Sequence, residues 1–238
     1  MSEPHARLAA AADGVREALD RLGTAERAER ERAYLRSDLT HLGVPVPEVR
    51  RTVKSALRAL GPLSRDDTLR LAALLWSDEV YEHRQAAVET LTARASAVLR
   101  AGDLAGLERY LRASGTWALV DPLAVHVVGA VVSRDPAACG DTLDRWARDE
   151  DFWLRRTALL ALLPGVRAGT PDLPRLSRYA DAMLDEREFF VRKAIGWVLR
   201  EVSVRDPGFV AAWARERRPR MSGLTWREAV RRLPSGTV

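Results

Sequence analysis

EDFWLRRTA, residues 150–158, is one of three related stretches in this chain, the others being DEVYEHRQA at 78–86 and EREFFVRKA at 186–194. Each begins with an acid and has an aromatic residue three positions on, arginine at six and alanine at eight. The last two stretches are 36 residues apart and the first two 72 apart, which predicts a further copy with its aromatic residue at 117. Residue 117 is tryptophan. A 36-residue period therefore relates Tyr81, Trp117, Trp153 and Phe189.

The rest of the sequence predicts helices throughout. Apolar residues fall at three- and four-residue spacings without sustained alternation, and prolines and glycines divide the chain into short helices. A period of this length is typical of two-helix units that stack into a superhelix. We expect a single all-α domain over residues 1–238, a superhelical solenoid of about six two-helix repeats with an extended concave face. Within it, residues 1–30 are expected to form an N-terminal helix and residues 205–238 basic helices and a tail.

The composition excludes several classes of protein. The chain is 47% hydrophobic and 30% charged, as in ordinary soluble proteins rather than disordered ones. Its apolar stretches are shorter than the roughly 18 residues of a membrane span. The first twenty residues carry six charged side chains, which excludes the uncharged core of a secretory signal. We expect a cytoplasmic protein that does not bind membranes.

Metal and redox sites are not predicted. Cys139 is the only cysteine and cannot form an internal disulfide. The four histidines, His5, His41, His83 and His126, are scattered along the chain. No spacing typical of a metal-ligand cluster appears among them.

The positive charge is concentrated at the C-terminal end. From Arg205 onward eight arginines stand against three acids, and this excess equals the net charge of +5 of the whole chain. Arginine forms bidentate contacts with phosphate. A basic end on an otherwise balanced chain predicts a polyanionic partner; the alternative is a solvated arginine-rich helix face.

Two positions break the repeat and so call for an explanation other than packing. Next to Trp117 the recurring arginine is replaced by Val120 and the recurring alanine by Pro122, with Asp121 between them. The equivalents of Asp121 are polar, which predicts an exposed position: Gln85, Thr157 and Lys193. The second break is Trp197, a large aromatic residue where the other units have small or charged ones. Tyr81 and Phe189, which follow the repeat, are expected in the core.

Trp117 and Asp121 are four residues apart, which on a helix places an indole and a carboxylate on one face. A carboxylate beside phosphate-binding arginines is suited to stabilise the cation that develops when a glycosidic bond is hydrolysed. Three other interpretations stay open. Trp117 is a packing residue, Asp121 is the N-cap of a helix that begins at Pro122, or Arg156 forms a salt bridge with Glu150 inside its repeat.

Four stretches resemble the AlkD-type DNA alkylation repair family, a group of DNA glycosylases built from HEAT-like repeats. They are KAIGWVLRE at 193–201, FWLRR at 152–156, the pair Trp117 and Asp121, and YLRSDLTHLGVPVPEVR at 34–50. The resemblance runs from about Tyr34 to Arg232. It implies a monofunctional DNA glycosylase, associated with the nucleoid when it is bound to DNA, that removes cationic N3-alkyladenine and N7-alkylguanine from duplex DNA with no cofactor, no metal and no base flipping. The chain departs from the family at residues 165–174, where we expect a longer loop.

The resemblance also implies roles for individual residues. Trp117 matches the tryptophan against the deoxyribose of the lesion, Asp121 the aspartate that stabilises the sugar cation, and Trp197 a second tryptophan of the cleft. Arg156 matches an arginine that contacts phosphate. DNA contacts are expected more broadly from Tyr34, Arg84, Arg192 and Lys193.

Three functions from different classes are compatible with these residues. The first is the glycosylase, a monomer acting on bulky as well as small adducts. The second is a HEAT-repeat DNA-binding protein without base excision. The third is a protein-binding scaffold, which needs apolar anchors rather than arginines on its concave face.

Overall fold

The computed structural model describes residues 3–234 and 236–237, and these are helical with short connections. No β-strand occurs in them, although Thr40 and Val80 form an isolated parallel bridge. The all-α prediction is confirmed. In chain order the helices are α1 (Glu3–Leu22), α2 (Ala25–Leu35), α3 (Val46–Leu60), α4 (Arg65–Leu75), α5 (Tyr81–Val98), α6 (Leu104–Arg112), α7 (Trp117–Pro122), α8 (Gly129–Arg134), α9 (Pro136–Trp146), α10 (Phe152–Leu160), α11 (Leu163–Ala168), α12 (Leu173–Ala182), α13 (Phe189–Val202), α14 (Pro207–Arg217) and α15 (Gly223–Val230). A 3₁₀ turn, Ala101–Asp103, precedes α6, and a π-helical turn, Leu123–Val128, joins α7 to α8.

Local sequence sets many of the helix starts. A side-chain oxygen accepts a hydrogen bond from the backbone N–H of the third helical residue at five N-caps: Ser64, Asp135, Asp172, Asp206 and Ser222. Proline follows directly as the first residue of α9 and α14. Proline suits this position because the first N–H groups of a helix have no intrahelical partner.

The chain forms two compact units. Unit 1 comprises Met1–Leu99 and Ser114–Leu123, and unit 2 comprises Arg100–Ala113 and Ala124–Val238. The structure divides the predicted helix over residues 1–30 into α1 and α2, because Gly23 and the extended Thr24 separate them. The predicted segment 205–238 contains α14 and α15. Residues 1, 2, 235 and 238 of these segments lie outside the described residues.

The recurring arginine of the repeat holds the loop in front of its own helix. Arg84 Nε donates to the carbonyl oxygen of Asp78 at 2.9 Å, and Arg192 Nε donates to that of Glu186 at 2.5 Å. In the unit at residues 150–158 the bond is made instead by Arg155, the neighbour of the recurring Arg156, whose Nη1 donates to the carbonyl of Asp149 at 2.6 Å. The repeated residues thus fasten a loop to a helix, as expected of scaffold positions.

Two predictions of exposure are wrong. Gln85 and Thr157 are buried, with 7% and 0% of their surface exposed, and only Lys193 of the three equivalent residues is exposed. Thr157 satisfies its hydroxyl locally by donating to the carbonyl of Trp153, which lets a polar residue lie in the core. Phe189, expected in the core, is 51% exposed, because Phe190 is the residue that packs on Phe152 and Trp153.

The predicted long loop at residues 165–174 is also wrong. Residues up to Ala168 belong to α11, and Gly169 ends that helix in the left-handed conformation with φ of 85°. Helix α12 then begins at Leu173 with Asp172 as its N-cap. The prolines and glycines here mark helix ends rather than an insertion.

The continuous helical stretch Trp117–Arg134 is apolar. Among the described residues it is the one helix that is long and apolar enough to cross a membrane, and 56% of it is buried inside the protein. A buried core helix gives this pattern without any membrane contact.

Glu108 of α6 accepts hydrogen bonds from Arg112 of the same helix and from two residues of α9. Its carboxylate accepts from Arg112 Nη2 at 2.6 Å, Arg145 Nη2 at 2.6 Å and Trp146 Nε1 at 2.9 Å. The bond from Arg145 contributes most to lowering the pKa of Glu108 from 4.5 to about 2. The ionised carboxylate therefore stabilises unit 2.

We expect Glu108→Gln to reduce the loss of stability in acid. Because the folded pKa lies below the unfolded one, the stabilisation is complete above about pH 5 and is lost as the pH falls toward 2. Between about pH 7 and pH 3, urea unfolding should show the wild type losing on the order of 1 kcal/mol more than the variant. Glu150→Gln, at an exposed carboxylate, serves as the control. Equal losses in all three proteins would contradict the role of Glu108.

Candidate functional site

Helix α7 carries the predicted pair Trp117 and Asp121 in unit 1. Thr116, not Asp121, is the N-cap, and its hydroxyl accepts from the N–H of Ala118 at 3.4 Å. The interpretation of Asp121 as an N-cap is therefore wrong, since Asp121 lies inside the helix. Trp117 and Asp121 are one helical turn apart and both are half-buried. The predicted indole and carboxylate share one face of α7.

Pro122 distorts the helix directly after Asp121. It has no N–H to donate to the carbonyl of Ala118 four residues earlier, and its ring crowds that carbonyl. The helix continues as the π-helical turn Leu123–Val128 instead of regular α-helix. Such wider turns are frequent at functional sites. The π-helical turn therefore lets the helix continue past Pro122, although the other repeat units have alanine at this position.

Tyr34 contacts Trp117. The two rings meet edge to face, with centroids 6.2 Å apart and an interplanar angle of 83°. Tyr34 is 74% exposed, and Trp117 is more accessible than its repeat equivalents Tyr81 and Trp153, which are 2% and 7% exposed. Part of the Trp117 side chain is therefore accessible to solvent. Tyr34, Trp117 and Asp121 form the group that we call the α7 site.

Arg84 lies in unit 1, where it contacts other parts of the chain. Besides its bond to the carbonyl of Asp78, its guanidinium carbon lies 5.3 Å from the centre of the Trp76 ring. Burial lowers the pKa of Arg84, and the acids Glu79 and Asp78 oppose this effect. The structure places Arg84 where it positions α5.

In unit 2, one face of α13 carries two predicted site residues, Lys193 and Trp197, together with Phe189. Phe189, Lys193 and Trp197 follow one another at four-residue spacing and so lie along one side of the helix. Phe189 and Lys193 are exposed, with Lys193 Nζ 5.7 Å from the Phe189 ring centre, and Trp197 is half-buried. We call these three residues the α13 face. The repeat position concealed Phe189, since two of its equivalents in the period, Tyr81 and Trp153, are buried.

Arg156 is 3% exposed and lies against Phe190, the residue that follows Phe189 in α13. Its Nη1 donates to the carbonyl of Phe190 at 2.5 Å, and its guanidinium carbon is 5.9 Å from the Phe190 ring centre. Arg155, rather than Arg156, donates to the carbonyl of Glu150 and pairs with Glu186 at 2.8 Å. The neighbouring arginine has thus taken over the scaffold role, while Arg156 reaches toward α13.

The basic C-terminal end is partly neutralised. Arg217 and Arg220 each contact Asp181 Oδ1 at 3.0 Å, and Arg220 also pairs with Asp185. Arg218 is exposed and lies over the Trp226 ring, 4.6 Å from its centre. Arg218 is a cationic surface residue that the charge count alone did not single out.

Comparisons with known proteins identify the family of this chain and proteins of similar fold. The model of a family described as DNA alkylation repair enzyme matches residues 15–233. Similar solved structures include a predicted DNA alkylation repair enzyme from Enterococcus faecalis, with 21% identity, a TM-score of 0.81, and coverage of 90% of this chain and 98% of that one. AlkD2 from Streptococcus mutans has 16% identity, a TM-score of 0.62, and coverage of 87% and 100%. The search of curated proteins gave no match. Since the family model spans most of the sequence, the chain belongs to the DNA alkylation repair enzyme family.

Proposed function

We propose that the protein is a DNA glycosylase that hydrolyses the N-glycosidic bond of cationic alkylated purines in duplex DNA. The observation that carries this proposal is the α7 site, where a carboxylate lies one turn from an accessible indole. A negative charge beside an aromatic face suits a reaction in which positive charge moves from the base onto the sugar. The family assignment supports damaged DNA as the partner.

The proposed reaction needs only one carboxylate. The bond between C1′ and the purine nitrogen breaks, and its electron pair leaves with the base. Because an N3- or N7-alkylated purine is cationic, it departs neutral without protonation. Asp121 stabilises the oxocarbenium ion, water adds to C1′, and the proton of that water passes to solvent or to the carboxylate. The product is an abasic site.

The aromatic residues of the α7 site bind the sugar and base. Trp117 offers a π face to the cationic nucleotide, and Tyr34 holds that ring through their edge-to-face contact. Both side chains are accessible from solvent rather than enclosed. This accessibility supports excision without base flipping and tolerance of bulky adducts.

The α13 face and Arg156 bind the duplex in this proposal. Lys193 supplies charge for a phosphate, and Trp197 and Phe189 offer apolar surface beside it. Contact between Arg156 and a phosphate requires its guanidinium to leave the Phe190 carbonyl. For Arg84 and Arg192 we propose a positioning role, in line with their bonds to the preceding loops.

The proposal is tested by comparing cationic and neutral lesions. We expect the wild type to release N7-methylguanine and N3-methyladenine from duplex DNA above the spontaneous rate, and to leave hypoxanthine in place. The neutral base would have to be protonated by a general acid, for which the α7 site offers no second carboxylate among the residues described. Free base is measured by chromatography after single-turnover incubation. Release of hypoxanthine as fast as of the cationic bases would contradict this mechanism.

Lys193 allows a matched test of DNA binding, because the chain has only one other lysine, Lys54, and both are exposed. We expect Lys193→Ala to weaken duplex binding and to reduce the salt slope of the binding constant by about 1. Lys54→Ala should leave both unchanged. Fluorescence anisotropy over a series of salt concentrations gives the slopes. Equal effects of the two substitutions would exclude a specific phosphate contact at Lys193.

A further inference from the structure

A second group of polar side chains is buried in unit 1, apart from the residues used above. It joins Glu31 of α2, His41 of the loop before α3, and Glu82 of α5. One ligand atom from each of them lies within 4.8 Å of the other two. These residues are 51 positions apart in the sequence, so their spacing gave no sign of a cluster.

His41 is held in a fixed orientation with its nitrogens unsatisfied. Its side chain is 1% exposed, and its ring stacks on Tyr81 with centroids 4.5 Å apart and an interplanar angle of 12°. Neither ring nitrogen has a hydrogen-bond partner among the described residues. A buried imidazole without any partner is costly. The ring is therefore poised for a ligand that the protein chain does not supply.

The distance between His41 and Glu31 fits a shared ion. Nδ1 of His41 lies 3.9 Å from Oε2 of Glu31, which is too long for a hydrogen bond. Zinc binds imidazole nitrogen and carboxylate oxygen at about 2.0–2.2 Å in tetrahedral geometry, so its ligand atoms lie about 3.3–3.6 Å apart, and a shift of a few tenths of an ångström brings these two atoms into that range. Oε2 of Glu31 also lacks a hydrogen-bond partner.

The charges of the group leave room for a cation. Glu82 accepts backbone N–H bonds from Leu42, Gly43 and Val44, at 2.9, 2.6 and 3.1 Å, which hold its carboxylate in place. Arg27 Nη2 lies 3.4 Å from Oε1 of Glu31, on the side of the carboxylate away from His41. Two carboxylates against one guanidinium leave one negative charge in a largely buried site.

We propose that Glu31, His41 and Glu82 bind one divalent transition-metal ion of the zinc class. The mixed imidazole and carboxylate donors favour zinc over magnesium, which prefers oxygen and water. The ion ties α2 and the loop at 36–45 to α5. Tyr34 lies three residues beyond Glu31 on α2, so the ion fixes the helix that holds Tyr34 against Trp117. The inference does not rest on the proposed glycosylase activity.

The test measures metal binding by the full chain. The protein is stripped with a chelator, exposed to Zn²⁺, freed of excess metal by gel filtration and analysed for zinc content. We expect about one ion per wild-type chain, a Tm several degrees above that of the stripped protein, and a visible absorption spectrum when Co²⁺ replaces Zn²⁺. His41→Gln and Glu31→Gln should each abolish binding. Far-UV circular dichroism verifies that both variants fold. Because the side chain of Glu31 is less buried than that of His41, its substitution disturbs the packing less.

His83 provides the matched control, because it is also buried beside carboxylates but its Nδ1 already contacts Asp78 at 2.9 Å. His83→Gln should keep the full zinc content. Zinc at background level in the wild type would overturn the proposal. Equal zinc content in the wild type and both cluster variants would overturn it as well, since the ion would then be adventitious.

Discussion

Asp121→Asn should lower the rate of N7-methylguanine release by about 10²–10³-fold, the loss typical when one electrostatic contact to a transition state is removed. Asparagine has nearly the shape of aspartate and no negative charge. Since Asp121 is half-buried inside α7 and not an N-cap, the substitution removes charge without removing a helix start. The rate is measured in single turnover with enzyme in excess, following abasic-site formation over the spontaneous background.

The control for this experiment is Asp66→Asn on α4, whose side chain is 85% exposed and pairs with Arg65. We expect it to have the wild-type rate. Duplex affinity should be the same in all three proteins. Release by Asp121→Asn at the wild-type rate would exclude Asp121 as the catalytic group. Background release by the wild type, despite tight binding, would favour the DNA-binding protein without base excision.

The 36-residue period predicted a large part of the fold. Tyr81, Trp117 and Phe189 are the first residues of α5, α7 and α13, and Trp153 is the second residue of α10. The recurring arginine also has one recurring task, the bond to a loop carbonyl six residues earlier at Arg84 and Arg192. A periodic sequence predicts such contacts because each unit repeats the same local geometry.

Side-chain exposure was less predictable. Gln85 and Thr157 are polar but buried, and Phe189 is apolar but exposed. The residue type determines how much free energy its burial costs. The neighbouring helices determine whether a buried polar group finds a hydrogen-bond partner. The choice between Arg155 and Arg156 is likewise a matter of packing, since both follow the same aromatic pair in the sequence.

The candidate site was predictable where the repeat fails. Asp121 and Pro122 replace scaffold residues, and the structure explains them together, because the π-helical turn accommodates the proline that follows the carboxylate. The group around His41 was not predictable, since its members come from two helices and a loop. Comparing repeat units reveals an unusual residue only where the other units have an equivalent position.

Gly43→Ala is the second substitution with a large expected effect. Gly43 has φ of 80°, and a Cβ there would lie 2.2 Å from the carbonyl oxygen of Thr24 and 2.5 Å from the nitrogen of Ala28. Those two atoms form the first hydrogen bond of α2, at 2.9 Å. We expect a loss of about 3 kcal/mol, from the left-handed backbone and from overpacking against main-chain atoms that cannot move aside. Thermal unfolding should show Tm lower by about 6–12 °C.

Gly115→Ala separates the two causes. Gly115 also has positive φ, 62°, but nothing lies within 4 Å of the added Cβ, so we expect only the backbone cost of about 1 kcal/mol. Equal losses in the two variants would show that the loop retreats from α2 at little cost. If Gly43→Ala has the larger effect, quenching of Trp117 fluorescence by an added solute should also rise, because displacing α2 moves Tyr34 away from the indole. The close approach at Gly43 thus connects the stability of α2 to the geometry of the α7 site.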